Sequence, residues 1–195
     1  MTDGKALILI DPEKKARHGV RLYADSWEQS LSQLRPNHQI KEIDGVHVLA
    51  DPNGVKVYLH EGPSPVEDFQ AQDCFGIPGN FAGISLETSE FERSSKFWQA
   101  LGFQQSSGGL EQGWCGMTNG EDFGISLMVA GSCPHLVFNP SLTYFNGGKN
   151  LPVIAAIKDA GIPITEEITH FNDKGIVDNI IIRDPAGYGF YIFND

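Results

Sequence analysis

A short turn motif occurs twice in the 195-residue chain, and each copy leads into an alternating apolar segment. The first copy runs from Asp51 to Tyr58 (DPNGVKVY) and the second from Asp184 to Tyr191 (DPAGYGFY). In both copies Asp can accept hydrogen bonds from the following backbone, Pro fixes its own φ, and Gly supplies the positive φ that a tight turn needs. Two such endings predict that the chain repeats one supersecondary module.

Three segments with helical periodicity recur at similar places relative to apolar strands. In each, a residue that favours a helix N-terminus precedes apolar residues at helical spacing. The N-terminal residues are Ser26, Ser89 and Asn150, and the apolar stripes are Trp27, Leu31 and Leu34, then Phe91, Phe97, Trp98 and Leu101, then Val153, Ile154, Ile157 and Ala160. Three helices of similar length predict three modules.

A strand-like segment precedes each helix, and shorter ones follow it. The preceding segments are 18–23, 83–87 and 141–145, and the following ones include 39–43, 46–50, 55–60, 124–129, 177–183 and 189–193. The repeated order is β-α-β-β-β, which predicts an α+β fold. Residues 63–79 are rich in Pro, Gly and acidic residues and are predicted to be a linker between a single module at 1–62 and a two-module domain at 80–195.

The charge balance opposes two classes of partner. Lys and Arg total 14 against 25 acidic residues, a net charge of −11, which disfavours nucleic acid and anionic membrane surfaces. The apolar run before Asp11 is too short for a signal peptide or a membrane span, so we expect a cytoplasmic protein. Cys74, Cys115 and Cys133 lack CxxC spacing and predict neither a disulfide framework nor a thiolate zinc site.

The segment from Gly83 to Trp98, the following Leu101-Gly102-Phe103 and the closing DPAGYGFYIF resemble the vicinal oxygen chelate superfamily. That superfamily includes glyoxalase I, extradiol dioxygenases and bleomycin-resistance proteins. The resemblance covers residues 80–195 as a complete two-module domain, and residues 1–62 resemble half of another. It implies paired βαβββ modules whose curled mixed sheets surround a central cup.

The resemblance also implies where a divalent metal would bind, because metal-using members carry His, Gln or Glu on the first and last strands of each module. In the C-terminal domain these positions are Gly83, Ser126, Ser141 and Tyr191. None is a good ligand for a divalent metal, so we expect no metal there. In the first module His18 matches a ligand position, Tyr58 replaces the closing carboxylate, and His60 is a conceivable second ligand across a dimer. A hydrogen-bonded structural His18 is the competing interpretation.

Strand alternation suggests which residues line the cup of the C-terminal domain. The candidate ligand-binding residues are Ser85, Glu87, Ser126, Ser141, Thr143 and Tyr191. Glu87 is the candidate catalytic residue, as a general base, or a partner for a cationic group, with a solvated strand residue as the alternative. Trp98 and Trp114 could form an aromatic wall, although the helical stripe favours a core position for Trp98, and His135 and His170 lie in predicted loops.

Three functions are compatible with these patterns. The leading interpretation is a small-molecule-binding protein, similar to the glyoxalase and bleomycin-resistance proteins, without a metal in the C-terminal cup. The alternatives are a metal-dependent lyase or dioxygenase with an intersubunit site at His18, and a non-catalytic interaction module whose cup is filled by side chains. An odd number of modules leaves one sheet unpaired, so we expect the first module either to pack on the C-terminal domain or to pair with its twin in a homodimer.

Overall fold

The computed structural model describes residues 2–10, 18–71, 76–120, 123–132, 135, 140–169 and 172–194. Within these ranges three α-helices and two mixed sheets form an α+β fold, as the sequence predicts. The first module comprises β1 (Gly19–Ala24), α1 (Glu28–Leu34), β2 (Lys41–Ile43), β3 (Val46–Ala50) and β4 (Lys56–Glu61). Its strands form the small sheet in the order β1-β4-β3-β2, with β1 parallel to β4.

The second and third modules share one larger sheet. The second comprises β5 (Phe81–Thr88), α2 (Phe91–Ala100), β6 (Gln104–Gly109), β7 (Trp114–Thr118) and β8 (Gly124–Val129). The third comprises β9 (Ser141–Phe145), α3 (Asn150–Asp159), β10 (Ile164–Ile168), β11 (Asn179–Arg183) and β12 (Gly189–Phe193). The strand order is β10-β11-β12-β9-β5-β8-β7-β6, and β5 pairs antiparallel with β9 at the centre. In each module the first strand is parallel to the last.

Both copies of the repeated motif form the predicted turn. Asp51 Oδ1 accepts hydrogen bonds from the backbone N–H groups of Asn53 and Val55, each at 2.9 Å, and Asp184 Oδ1 accepts one from Tyr188 at 2.8 Å. Gly54 has φ +88° and Gly187 has φ +91°. In both turns an Asp side chain accepts backbone hydrogen bonds and a Gly has a positive φ, and each turn leads into the last strand of its module, β4 or β12.

Some local predictions were wrong. The helices begin at Glu28, Phe91 and Asn150, and the N-cap positions of the first two are Trp27 and Glu90 instead of Ser26 and Ser89. Ser26 Oγ still accepts a hydrogen bond from the Glu28 N–H at 3.3 Å, and the Trp27 N–H donates to Glu61 Oε1 on β4 at 3.2 Å. Strand β11 begins at 179 instead of 177, and β6, β7 and β10 were not identified because their sequences lack clear apolar alternation.

The first module packs against the second through their helix-bearing sides. One continuous apolar cluster includes Leu31 of α1, Leu59 of β4 and Phe97 of α2. Asn53, in the first turn motif, donates from Nδ2 to Ser94 Oγ of α2 at 3.4 Å. This is one of the two arrangements expected for the unpaired module, and it leaves the opposite face of the small sheet outside this cluster.

A second cluster lies beneath α3. It contains Ile154 and Ile157 of the helix together with apolar residues of β9, β11 and β12. Ala6 and Ile8 from the N-terminal segment pack against it, so the start of the chain lies on the third module.

Candidate functional site

The cup is defined here as the face of the large sheet turned away from α2 and α3. Alternation divides β5 between the two faces: Ile84 and Leu86 enter the apolar cluster on the helix side, and Ser85 points to the cup. Strand register places Ser85 beside Ser126 on one side and Ser141 on the other, and Thr143 beside Tyr191. The fold therefore places all six predicted ligand-binding residues on one face of four neighbouring strands, β12, β9, β5 and β8.

Two of these residues are hydrogen-bonded to each other. Ser85 Oγ and Thr143 Oγ1 lie 2.7 Å apart, and the two side chains are buried. Ser141, next to them, is fully buried. Since a buried hydroxyl costs free energy unless it is hydrogen-bonded, the bond between this pair stabilises the β5–β9 junction.

Tyr191 belongs to an apolar cluster that fills part of the cup. The cluster combines Tyr191, Ile168 and Ile181 with the partly buried Met128 and Phe193. The Tyr191 ring is 1% exposed and stacks on Phe193, with 5.0 Å between ring centroids and 9° between planes. Met128 comes from β8 and the other four from β10, β11 and β12, so the cluster spans the cup from one module to the other.

The predicted catalytic candidate, Glu87, holds a turn. Its Oε1 accepts a hydrogen bond from the Gly131 backbone N–H at 2.8 Å, just after β8. Ser126 is half-buried, and Trp114, on the same face of neighbouring β7, is 43% exposed. Glu87, Ser126 and Trp114 thus lie on the side of the cup formed by the second module.

The backbone at Gly83 excludes a side chain. Its φ is +133°, and a Cβ placed there would lie 1.9 Å from the Gly124 carbonyl oxygen. Of the other positions at which metal-using relatives carry ligands, Ser126 and Ser141 offer only neutral hydroxyls, and the Tyr191 ring is packed in the apolar cluster. This set does not fit a divalent metal, because such ions prefer carboxylate, imidazole or thiolate ligands.

The candidate ligands of the first module are not brought together. His18 is exposed and its ring meets the Tyr188 ring edge-on at 5.3 Å. His60 stacks on Tyr23 at 4.8 Å on the small sheet, and burial together with nearby Arg21 lowers its pKa. Within the described ranges, no group of three or more His, Cys, Asp or Glu residues is placed to hold a metal ion.

The remaining candidate residues from the sequence lie in different parts of the structure. Trp98 is fully buried among Phe97 and Phe103 on the helix side, so it forms no wall with Trp114 on the cup side. His135 Nδ1 lies 2.5 Å from Glu166 Oε1 on β10, a partner that sequence reasoning missed because β10 was not identified. Burial raises the pKa of the Cys115 thiol. His170, Cys74 and Cys133 lie outside the described residues.

Two cavities occur away from the cup. One, of about 330 Å³, is lined by Arg35, His38, Ile40, Glu42 and His47 in the first module. The other, of about 310 Å³, lies beside the start of α3 and includes Asn150, Asp178 and Asn194. Neither is lined by a predicted ligand-binding residue. No helix within the described ranges has the length and apolar character needed to cross a membrane.

Comparison with solved structures identifies the fold. The chain superposes on 2,2',3-trihydroxybiphenyl 1,2-dioxygenase from Sphingomonas wittichii with TM-score 0.54 and 16% identity, covering 89% of this chain and 68% of that one. For the 2,3-dioxygenase LapB from a Pseudomonas species the TM-score is 0.55 and the identity 16%, and the match covers 86% of this chain and 66% of LapB. For the Mn(II)-bound glyoxalase from Novosphingobium aromaticivorans it is 0.56, with 16% identity and coverage of 88% and 61%.

The comparisons show the fold of the chain alone. No protein-family model and no curated protein matches the sequence. The chain spans 61% to 68% of the length of these three structures. At 16% identity the likeness concerns architecture alone, because one scaffold supports many activities. The paired βαβββ modules and these superpositions together show that the chain has the vicinal oxygen chelate fold.

Proposed function

We propose that this chain is a metal-independent, non-catalytic binding protein whose C-terminal cup serves as a packed scaffold. The observation that carries the proposal is the burial of Tyr191 in an apolar cluster that crosses the cup. The cluster fills the part of the cup over β10, β11 and β12, and Ser85 and Thr143 next to it are buried, which leaves little room for a substrate there. We include a cytoplasmic location in the proposal, in keeping with the absence of disulfide spacing in the sequence.

The chemistry of the cup supports the same proposal. Gly83 cannot be replaced by a ligating residue without moving β8, because the Gly124 backbone occupies the space. The Ser85 and Thr143 hydroxyls are buried and joined by one hydrogen bond. Ser85, Ser141 and Thr143 therefore offer neutral hydroxyls at the centre of the cup, with no carboxylate, imidazole or thiolate among them to hold a Lewis-acidic metal.

Thiol labelling tests whether the cup is closed. In a background with Cys74→Ser and Cys133→Ser, Ser85→Cys places a probe on the cup floor and Ser107→Cys places one on the exposed strand β6. We expect a small maleimide to label the Ser107→Cys variant rapidly and the Ser85→Cys variant only on unfolding. Rapid labelling of folded Ser85→Cys would show an open cup and contradict the proposal.

A second candidate function is the binding of a small molecule within the cup, on the side formed by the second module. It is favoured by the Trp114 indole, which is 43% exposed and lies opposite Met128, two residues along β8 from half-buried Ser126. A planar ligand could stack on Trp114 and receive a hydrogen bond from Ser126. Ser126→Cys in the same background tests this function: a ligand that binds here protects the thiol of Ser126→Cys from labelling, whereas the thiol of Ser107→Cys reacts unchanged.

We also propose that the chain forms a homodimer through β1. In the large sheet the first strands of two modules, β5 and β9, pair antiparallel. In the small sheet the equivalent strand β1 pairs, among the described residues, with β4 alone. A second copy placed on β1 as β5 lies on β9 would give the first module a partner and complete a second cup.

A further inference from the structure

The small sheet carries a group of basic and aromatic side chains on the face opposite α1. Alternation sends Leu22, Val57 and Leu59 into the apolar cluster and their neighbours to the other side. We call this other side the basic face; it is formed by Arg21, Tyr23, Lys41, Lys56, Tyr58 and His60. Register places Arg21 beside Tyr58 and Tyr23 beside His60.

The basic face has a charge opposite to that of the whole protein. The chain has a net charge of −11, yet the strand positions on this face contain Arg21, Lys41 and Lys56 and no Asp or Glu. These three side chains are exposed. Within the described residues none of them forms an ion pair, whereas Arg93 pairs with Glu90 and Lys158 with Glu167. The positive charge on this face is therefore not neutralised by the described part of the fold.

Aromatic rings lie next to these charges. Tyr23 and His60 are stacked, with 4.8 Å between centroids and 17° between planes. Gly19 leaves room for the ring of Tyr58, because a Cβ at Gly19 would lie 2.9 Å from Tyr58 Cε2. All three rings are half-buried, so part of each remains accessible. Flat apolar surface and unpaired cations thus occur within one pair of neighbouring strands.

Arg21 acts electrostatically on His60. Burial and the positive charge of Arg21 lower the pKa of His60, which favours the neutral imidazole at pH 7. A neutral imidazole can stack on a ring and still donate or accept one hydrogen bond. An anion bound to Arg21 would offset the repulsion between the guanidinium and a protonated His60.

We infer that the basic face binds a planar aromatic carboxylate. Arg21 would hold the carboxylate through paired N–H donors, which is the arrangement that guanidinium favours. Tyr58 and the stacked Tyr23 and His60 would contact the aromatic ring, and Lys56 would add long-range attraction. The site lies on the first module and is independent of the function proposed for the C-terminal cup, so either can fail without the other.

Calorimetric titration with 2-naphthoate tests this inference, with 2-naphthylmethanol as the neutral analogue and inorganic phosphate as the non-aromatic anion. We expect the naphthoate to bind, the other two probes to bind at least tenfold more weakly, and the affinity for naphthoate to fall as salt increases. Equal binding of the neutral analogue or of phosphate would overturn the assignment to an aromatic carboxylate, as would no binding at millimolar concentration.

Two arginine variants locate the site. Arg21→Gln should weaken naphthoate binding at least tenfold, whereas Arg93→Gln on α2 should leave it unchanged, since Arg93 is already paired with Glu90. Thermal unfolding of both variants checks that the fold is retained. Unchanged affinity in folded Arg21→Gln would overturn the inference. Self-association of the wild type that disappears in Arg21→Gln would also overturn it, because the cations would then serve the acidic surface of a second copy.

Discussion

The hydroxyl oxygens of Ser85 and Thr143 lie 2.7 Å apart in a buried contact that joins the first strand of the second module to the first strand of the third. One hydroxyl donates to the other, and the pair links β5 directly to β9. Their mutual hydrogen bond makes the centre of the large sheet a joint between modules.

This joint can be measured by a double-mutant cycle. Ser85→Ala leaves the Thr143 hydroxyl buried without its partner, and we expect a loss of about 1–3 kcal/mol in the free energy of unfolding. Thr143→Val should cost a similar amount, and the double variant less than the sum of the two. Urea unfolding of the four proteins gives the coupling energy; additive losses would show that the pair contributes no interaction of its own.

The two tyrosines that follow the repeated turns should differ in importance. Tyr191 is 1% exposed in the apolar cluster, and Tyr58, at the same place in its motif, is half-buried on the small sheet. Tyr191→Ala should therefore cost about 3–5 kcal/mol in unfolding free energy through the cavity it leaves, and Tyr58→Ala clearly less. Chemical unfolding of both variants checks this, and equal losses would argue against a packed cup.

Substitution at Gly83 should not create a metal site. Gly83→Ala forces a Cβ against the Gly124 backbone, so we expect it to cost about 1–3 kcal/mol more than Gly102→Ala, a residue with φ +95° and open space around it. Gly83→His should be at least as unstable as Gly83→Ala. Desalting after incubation with Mn²⁺, followed by elemental analysis, should show no retained metal in Gly83→His. A stable variant that retains stoichiometric metal would disprove the steric argument.

Asp51 should make stability depend on pH in a defined direction. Burial raises its pKa above the ordinary value of 3.8. The folded state therefore holds this proton more tightly than the unfolded state, so the stabilising contribution is complete below pH 3.8 and is lost as pH rises through the folded pKa.

Urea unfolding of wild type and Asp51→Asn between pH 3 and pH 7 isolates this effect. We expect the difference in unfolding free energy to shift against the wild type as the pH rises, because the amide side chain of the variant has no proton to lose in this range. A pH-independent difference between the two proteins would contradict the assignment.

Light scattering addresses the proposed dimer along β1. Arg21 in the small sheet is opposite Tyr58, just as Thr143 in the large sheet is opposite Tyr191, so Arg21 and Thr143 occupy equivalent positions. A second copy bound as in the large sheet would therefore bring two Arg21 side chains close together. Their repulsion predicts that the dimer strengthens in high salt and in Arg21→Ser. A monomeric mass under all of these conditions would contradict the dimer.

Most of the architecture was predictable from the local sequence. The repeated turns at Asp51 and Asp184 and the first strand of each module are specified by residues close in sequence, whose turn chemistry and alternation act locally. Strands β6 and β10 were missed because a polar edge strand, or one with a bulge, derives its order from its neighbour and has little signal of its own.

The candidate site was likewise predictable where local sequence decides and unpredictable where long-range packing decides. Alternation correctly placed Ser85, Thr143 and Tyr191 on one face, because side-chain direction in a strand is a local property. Sequence could not show that Ser85 and Thr143 bond to each other, that Met128 reaches Tyr191 from another module, or that Glu87 holds Gly131. These contacts join residues distant in sequence, and only the packing of whole modules brings them together.

The sequence by itself therefore determined the module, its repetition and the residue types at Gly83, Ser126, Ser141 and Tyr191. The tertiary structure decided which side chains of the cup are buried against one another. Whether a hydroxyl or an aromatic ring faces a ligand or another side chain depends on the curvature and pairing of strands from two modules, since burial and hydrogen bonding are properties of the assembled sheet.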